Sequence, residues 1–168
     1  MYLIKFFFIA FVTFPIAVFS HGPTRQKVTE STLIQTNSDK VWEIVSDLGR
    51  IGKWHSEYKS IAGNEDLKNI EFFNSGKGKI EILSINNDSK SFKYRLKIPG
   101  DIPVNNYSAR LSIQENGNAS KVVLKGAFYR KYVNNDPPPG EDDEAAIKAV
   151  KKIYKGTLLK LKLLAESK

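Results

Sequence analysis

The stretch EDDEAAIKAVKKIYKGTLLKLKLLAESK, residues 141–168, reads as one long amphipathic helix, and the rest of the chain must supply something for it to rest on. At about 100° per residue, Ala146, Ala149, Val150, Ile153, Tyr154, Thr157, Leu158, Leu161, Leu164 and Ala165 fall on one broad arc. Lys148, Lys151, Lys152, Lys155 and Lys162 fall on the opposite side, with Leu159 and Leu163 among them. Glu141, Asp142, Asp143 and Glu144 stand at its start, where carboxylates meet the positive end of the helix and cap free amides. Pro137, Pro138, Pro139 and Gly140 separate it from what precedes.

Upstream, residues 27–35 are rich in Val, Thr, Leu and Ile and read as a first strand. Asn37 or Ser38 is positioned to cap a helix that places Val41, Trp42, Ile44, Val45 and Leu48 mainly on one side. Gly49 ends it, and a short second helix over 51–56 carries Trp54 and His55. Six strand-like runs follow, over 58–62, 70–73, 79–85, 91–98, 106–114 and 121–133, separated by Asn- and Gly-bearing turns. Such spacing predicts an antiparallel meander. The order predicts an α+β helix-grip fold: a curved antiparallel sheet of about six to seven strands around a long C-terminal helix, with two short helices after the first strand. A sheet so curved does not close completely on one helix, and the space left between them suits apolar molecules. Expected inward positions include Phe72, Ile80, Ile82, Tyr94, Leu96, Tyr107, Ala109, Leu111, Leu124, Ala127 and one of Phe128 and Tyr129.

Composition narrows the classes. The 168 residues suffice for one domain with a real core. Cysteine is absent, which excludes disulfides and thiolate chemistry. The net charge of +8 comes mostly from Lys, with Arg only at 25, 50, 95, 110 and 130, so the Arg forks that read base edges are not clustered and no nucleic-acid partner is expected. Residues 1–20 carry one charge, Lys5, and then an apolar run of about 14 residues broken by Thr13 and Pro15, short of the roughly 20 that span a bilayer. Val18 and Ser20 stand three and one before a cut ahead of His21. This is the pattern of a secretory signal peptide over 1–20. Cleavage leaves a mobile start over 21–26, a single domain over 27–168 and no stable membrane span.

Val41-Trp42-Glu43-Ile44-Val45-Ser46-Asp47-Leu48, followed by Lys53-Trp54-His55, resembles the opening of the START-like superfamily, which includes Bet v 1 and the polyketide cyclase/dehydrase-like (SRPBCC) proteins. Ile102-Pro103-Val104-Asn105-Asn106-Tyr107, Gly126-Ala127-Phe128-Tyr129-Arg130 and the run from Pro137 to Ala146, with His21-Gly22-Pro23-Thr24, resemble its secreted, MxaD-like branch. The resemblance implies a carrier or sensor of a lipid-like or polyketide-like molecule, with enzymes a minority. The branch implies a bacterial periplasmic location and an accessory role between a dehydrogenase and its cytochrome acceptor.

Candidate site residues divide into two groups. Trp54, His55, Phe72, Tyr94, Tyr107, Phe128 and Tyr154 are the candidate walls of a ligand cavity, where core and wall are one surface. Lys148, Lys151, Lys152, Lys155, Leu159 and Lys162 form a candidate docking face for an acidic partner, such as a periplasmic dehydrogenase or cytochrome. If the protein is instead a cyclase or dehydrase, His55 and Tyr107 are the acid/base candidates. Residues 141–144 lack the spaced oxygen ligands of a calcium loop and read as a cap, so no metal is expected there. His21 with His55 is a weaker copper candidate. Ser75-Gly76-Lys77-Gly78 lacks phosphate-loop spacing and reads as a turn or ligand-entrance loop. No cofactor is implied.

Overall fold

A computed structural model describes residues 22–167. The expected leader, residues 1–20, and His21 lie outside the described residues. The elements run β1 (Gln26–Ile34), α1 (Ser38–Ser46), a single 3-10 turn (Leu48–Arg50), α2 (Ile51–Trp54), β2 (Tyr58–Ala62), β3 (Leu67–Phe72), β4 (Lys77–Asn86), β5 (Ser91–Ile98), β6 (Val104–Asn116), β7 (Ala119–Arg130) and α3 (Asp143–Glu166). The seven strands make one antiparallel sheet in the order β1-β7-β6-β5-β4-β3-β2. The helix-grip expectation therefore holds. α3 lies on the inner face, chiefly over β1 and β7, and α1 and α2 close one end.

The helix starts are capped as the sequence suggests. Asn37 Oδ1 accepts the Lys40 N–H at 2.9 Å, and Asp142 Oδ1 accepts the Ala145 N–H at 2.7 Å. The far end of α3 is stitched to the end of β1. Glu166 Oε1 accepts the Gln35 N–H at 2.7 Å, Thr36 Oγ1 donates to the Ala165 carbonyl at 3.1 Å, and Lys162 Nζ donates to the Leu33 carbonyl at 2.7 Å.

Two sequence expectations are corrected. Ala127 faces outward, not inward. Leu111 pairs with Leu124 and Ala109 with Gly126, which puts 124, 126 and 128 on the inner face, and a β6 register shift between Asn105 and Ser108 follows where alternation cannot be counted through. Phe128 is thus the buried member of the Phe128/Tyr129 pair. The last strand ends at Arg130 and does not run to Val133. Arg130 is buried, its Nε donates to the Tyr132 carbonyl and its Nη2 to the Asn134 carbonyl, both at 2.8 Å, so the chain curls around its own guanidinium.

One glycine sets how closely helix and sheet approach. A Cβ on Gly126 would collide with the Tyr154 hydroxyl from α3, with the Ser108 carbonyl 3.1 Å away on the other side. Gly126→Ala is expected to destabilise the fold by about 1–3 kcal/mol, the usual cost of overpacking. Combined with Tyr154→Phe it is expected to destabilise by less than the two single changes added together, because the colliding atom is gone. Urea unfolding of the four proteins measures this, and strict additivity would refute the contact as the cause.

Candidate functional site

Burial builds the interior first. Trp54, His55, Phe72, Tyr94, Tyr107, Phe128 and Tyr154 are all buried, and the structure brings these seven candidates into one cluster beneath α3. Tyr58, which the sequence reading passed over, completes it. The His55 ring stacks on Tyr58 with centroids 3.7 Å apart and planes within 7°. Tyr58 meets Phe72 and Tyr94 edge-on at 5.6 and 6.1 Å, and Tyr107 lies 6.1 Å from both Tyr94 and Phe128. Three strands (β2, β5 and β6) and α3 each contribute one tyrosine, so only the fold assembles the set.

The hydroxyls satisfy one another. Tyr107 donates to Tyr154 at 2.9 Å, and the Tyr94 and Tyr107 hydroxyls are 3.4 Å apart. Burial pushes the Tyr58, Tyr107 and Tyr154 phenols well above their ordinary range and raises Tyr94 as well, so all four are neutral donors and acceptors. His55 moves the other way, down to about 3, first through burial and then through the nearby Lys160 ammonium. Its Nδ1 accepts the Tyr58 N–H at 3.0 Å and the Glu57 N–H at 3.2 Å, which fixes the neutral ring. Lys160, on α3, turns inward to donate to the Gly52 and His55 carbonyls at 3.2 and 3.0 Å, and its Nζ lies 4.8 Å from the centre of the Phe73 ring. His55 and Tyr107, the acid/base candidates, make no hydrogen bond to each other among the described residues; Tyr58 and Tyr94 stand between them in the aromatic chain.

Open space lies beside this interior. A cleft of about 460 Å³ is framed by α3 and the α2–β2, β3–β4 and β5–β6 connections. Ile102, Pro103, Ala149 and Ile153 give it apolar walls, while Glu57, Asp101 and Lys152 supply charge. Ser75 Oγ donates to Glu57 Oε1 at 2.8 Å on its rim, and Ser56 Oγ donates to the Ile153 carbonyl at 2.8 Å. Sequence reasoning missed this ring, apart from the entrance-loop reading of residues 75–78, because it is assembled from connections far apart in the chain. A smaller cleft, about 200 Å³, opens where Ile44, Trp54 and Leu164 meet, and the Trp54 indole N–H is buried without a partner among the described residues.

The docking candidates divide. Lys148, Lys151, Lys152 and Lys155 are exposed and make no ion pair among the described residues. Leu159 and Leu163 are 58% and 63% exposed beside them. Lys162 is engaged by the Leu33 carbonyl and by Glu166 at 3.2 Å.

The comparisons with known proteins agree with the geometry. A family model described as polyketide cyclase/dehydrase and lipid transport matches residues 25–166. No curated protein matches the sequence. Among solved structures, the chain is similar to an uncharacterized protein from Bacillus thuringiensis (TM-score 0.72, 20% identity, 84% of this chain and 100% of that one). It is also similar to the protein XoxI from Bacillus cereus (0.70, 20%, 82% and 94%) and a START superfamily protein from Mycobacterium smegmatis (0.65, 15%, 83% and 97%).

The His55 environment has a measurable consequence. Its folded value, about 3, lies below its ordinary 6.5, so the folded state disfavours the extra proton. The stability this contributes is complete above pH 6.5 and is lost as pH falls toward 3, at up to about 1.4 kcal/mol per pH unit. Urea midpoints are expected to fall more steeply between pH 6 and 4 for the wild type than for His55→Asn, since the carboxylates titrate alike in both. Parallel slopes would contradict the buried neutral imidazole.

Proposed function

The chain belongs to the family of polyketide cyclase/dehydrase and lipid transport proteins, and from that premise we propose that it is a non-enzymatic binding protein for a small, mostly apolar molecule in the bacterial periplasm. The observation that carries this reading is the 460 Å³ cleft, in which the apolar walls Ile102, Pro103, Ala149 and Ile153 stand beside a polar rim. A ligand lies with its apolar part against Ile102, Pro103 and Ile153 and presents hydrogen-bonding groups to Ser56, Ser75 and Lys152. The seven aromatic candidates are buried in the core and are not among the residues that line the cleft. The alternative, a cyclase or dehydrase using His55 and Tyr107, is less well supported. His55 has its Nδ1 committed to two amides and its proton affinity suppressed, and the Tyr107 hydroxyl is committed to Tyr154.

Isothermal titration with an apolar fluorescent probe such as anilinonaphthalene sulfonate tests the cleft. Ala149→Trp fills it from a half-buried helix position and is expected to weaken probe binding at least tenfold with the thermal midpoint little changed. Equal affinity in the two proteins would remove the cleft as the site.

A second reading rests on a separate observation. Four unpaired lysines and two exposed leucines on one side of α3 combine steering charge with apolar anchors, the composition of a docking face for an acidic protein. An MxaD-like accessory role, with a periplasmic dehydrogenase or cytochrome as partner, fits that face. Lys148→Glu/Lys151→Glu/Lys155→Glu is expected to slow association with such a partner and to flatten its salt dependence, measured by surface plasmon resonance. An unchanged on-rate would refute the face.

A further inference from the structure

The outer face of the sheet carries an arrangement that neither the fold nor the cleft requires. Strand register places Lys93 opposite Arg110, and Arg110 opposite Lys125, so three cations stand side by side on β5, β6 and β7. Like charges directly opposite each other on neighbouring strands destabilise a sheet. The next row on the same face reads Glu81, Arg95, Ser108, Ala127 and Lys27 across β4, β5, β6, β7 and β1. Its one acid, Glu81, is already shared by Arg95 at 3.3 Å and Lys97 at 3.2 Å. None of Lys27, Lys93, Arg110 and Lys125 makes an ion pair among the described residues; Arg110 donates only to the Ser91 hydroxyl, at 3.2 Å.

Between these rows the surface dips. Ser108 and Ala127, small residues opposite each other, leave a depression of about 190 Å³ walled by Lys27, Lys93, Arg110 and Lys125. Its volume is room for about six waters. Opposed residues on adjacent strands lie about 5 Å apart, so Lys93 and Lys125 are separated by about 10 Å at the backbone. A single monovalent anion would not engage that span, whereas a group with two or more negative charges would. The Arg110 fork matches the oxygens of a phosphate in two-point fashion, the lysines supply point charge, and the Ser108 hydroxyl offers a neutral donor at the floor.

We propose that this depression is a second binding site, separate from the α3-side cleft, for a phosphate-bearing group that carries two or more negative charges. The shared chemistry belongs to a free polyphosphate and to the headgroup of a phospholipid that bears two phosphates. Side-chain flexibility lets the four cations close over the group, and its binding relieves the repulsion that the ladder carries when empty.

The test uses inorganic tripolyphosphate at about 50 mM salt, where exposed charges still act over more than 10 Å. Calorimetric titration of the wild-type protein is expected to show one saturable site. Lys93→Gln/Arg110→Gln/Lys125→Gln is expected to weaken it at least tenfold, while Lys148→Gln/Lys151→Gln/Lys155→Gln, which removes equal charge from α3, leaves it within about twofold. The sheet variant is also expected to melt higher than the wild type without ligand, which shows that it folds and that the ladder is repulsive. Cosedimentation with vesicles of phosphatidylcholine and cardiolipin, whose headgroup carries two phosphates, separates the sources: vesicle binding lost only in the sheet variant assigns the headgroup, and tripolyphosphate binding alone assigns the soluble group. Equal weakening by both variants, or no saturable binding to either probe, overturns the site.

Discussion

The structure depends on the contact between Tyr154 and the strand pair beneath it. α3 can approach β7 only because Gly126 has no side chain there, and the Tyr154 hydroxyl that fills the gap takes a hydrogen bond from Tyr107 at 2.9 Å. A sheet wrapped around a single helix leaves a volume that neither surface fills with aliphatic side chains alone. Here the volume is occupied by long aromatic residues from β2, β5, β6 and α3. Burying their hydroxyls singly would be costly. Linking them makes a polar chain that is internally satisfied, and neutral because burial holds every phenol protonated.

The same interior limits the proton chemistry open to His55. A general acid or base needs a proton affinity near the working pH and a free reactive atom. His55 lacks the first, its proton affinity being suppressed by burial, and its Nδ1 is turned onto two backbone amides. The open space lies beside that interior, in the cleft whose walls come from α3 and the connections at one end of the sheet, and none of the interior tyrosines lines it.

How much of this was legible in the chain follows from the range of each interaction. Caps and helical periodicity are local, so Asn37 and Asp142, and the arc from Ala146 to Ala165, could be read directly. The seven aromatic candidates were legible as a buried set because apolar alternation is also local, and Tyr58 escaped only because it opens a short strand next to a turn. Register is not local. The outward turn of Ala127 and the lysine–arginine–lysine row depend on pairings between strands that shifts in β4 and β6 displace, and the inward turn of Lys160 depends on how α3 sits against α2. Apart from the loop at residues 75–78, the ring of the cleft escaped for the same reason, being built from three connections and a helix that whole strands separate in the chain.

Net charge behaves like register in this respect, since a total says nothing about where the charges act. Arg130, Lys160 and Lys162 spend theirs on backbone carbonyls, and Arg95 and Lys97 share Glu81. The cations left unpaired include the exposed lysines of α3 and the row on the outer sheet face. α3 covers the inner face, so these two groups point away from each other through the thickness of a helix layer and a sheet layer, about 10 Å between their centres before side chains are added. That separation exceeds the roughly 8 Å over which exposed charges act at physiological salt. A partner on one face therefore neither occludes the other nor neutralises it, and changes made on the two faces combine additively.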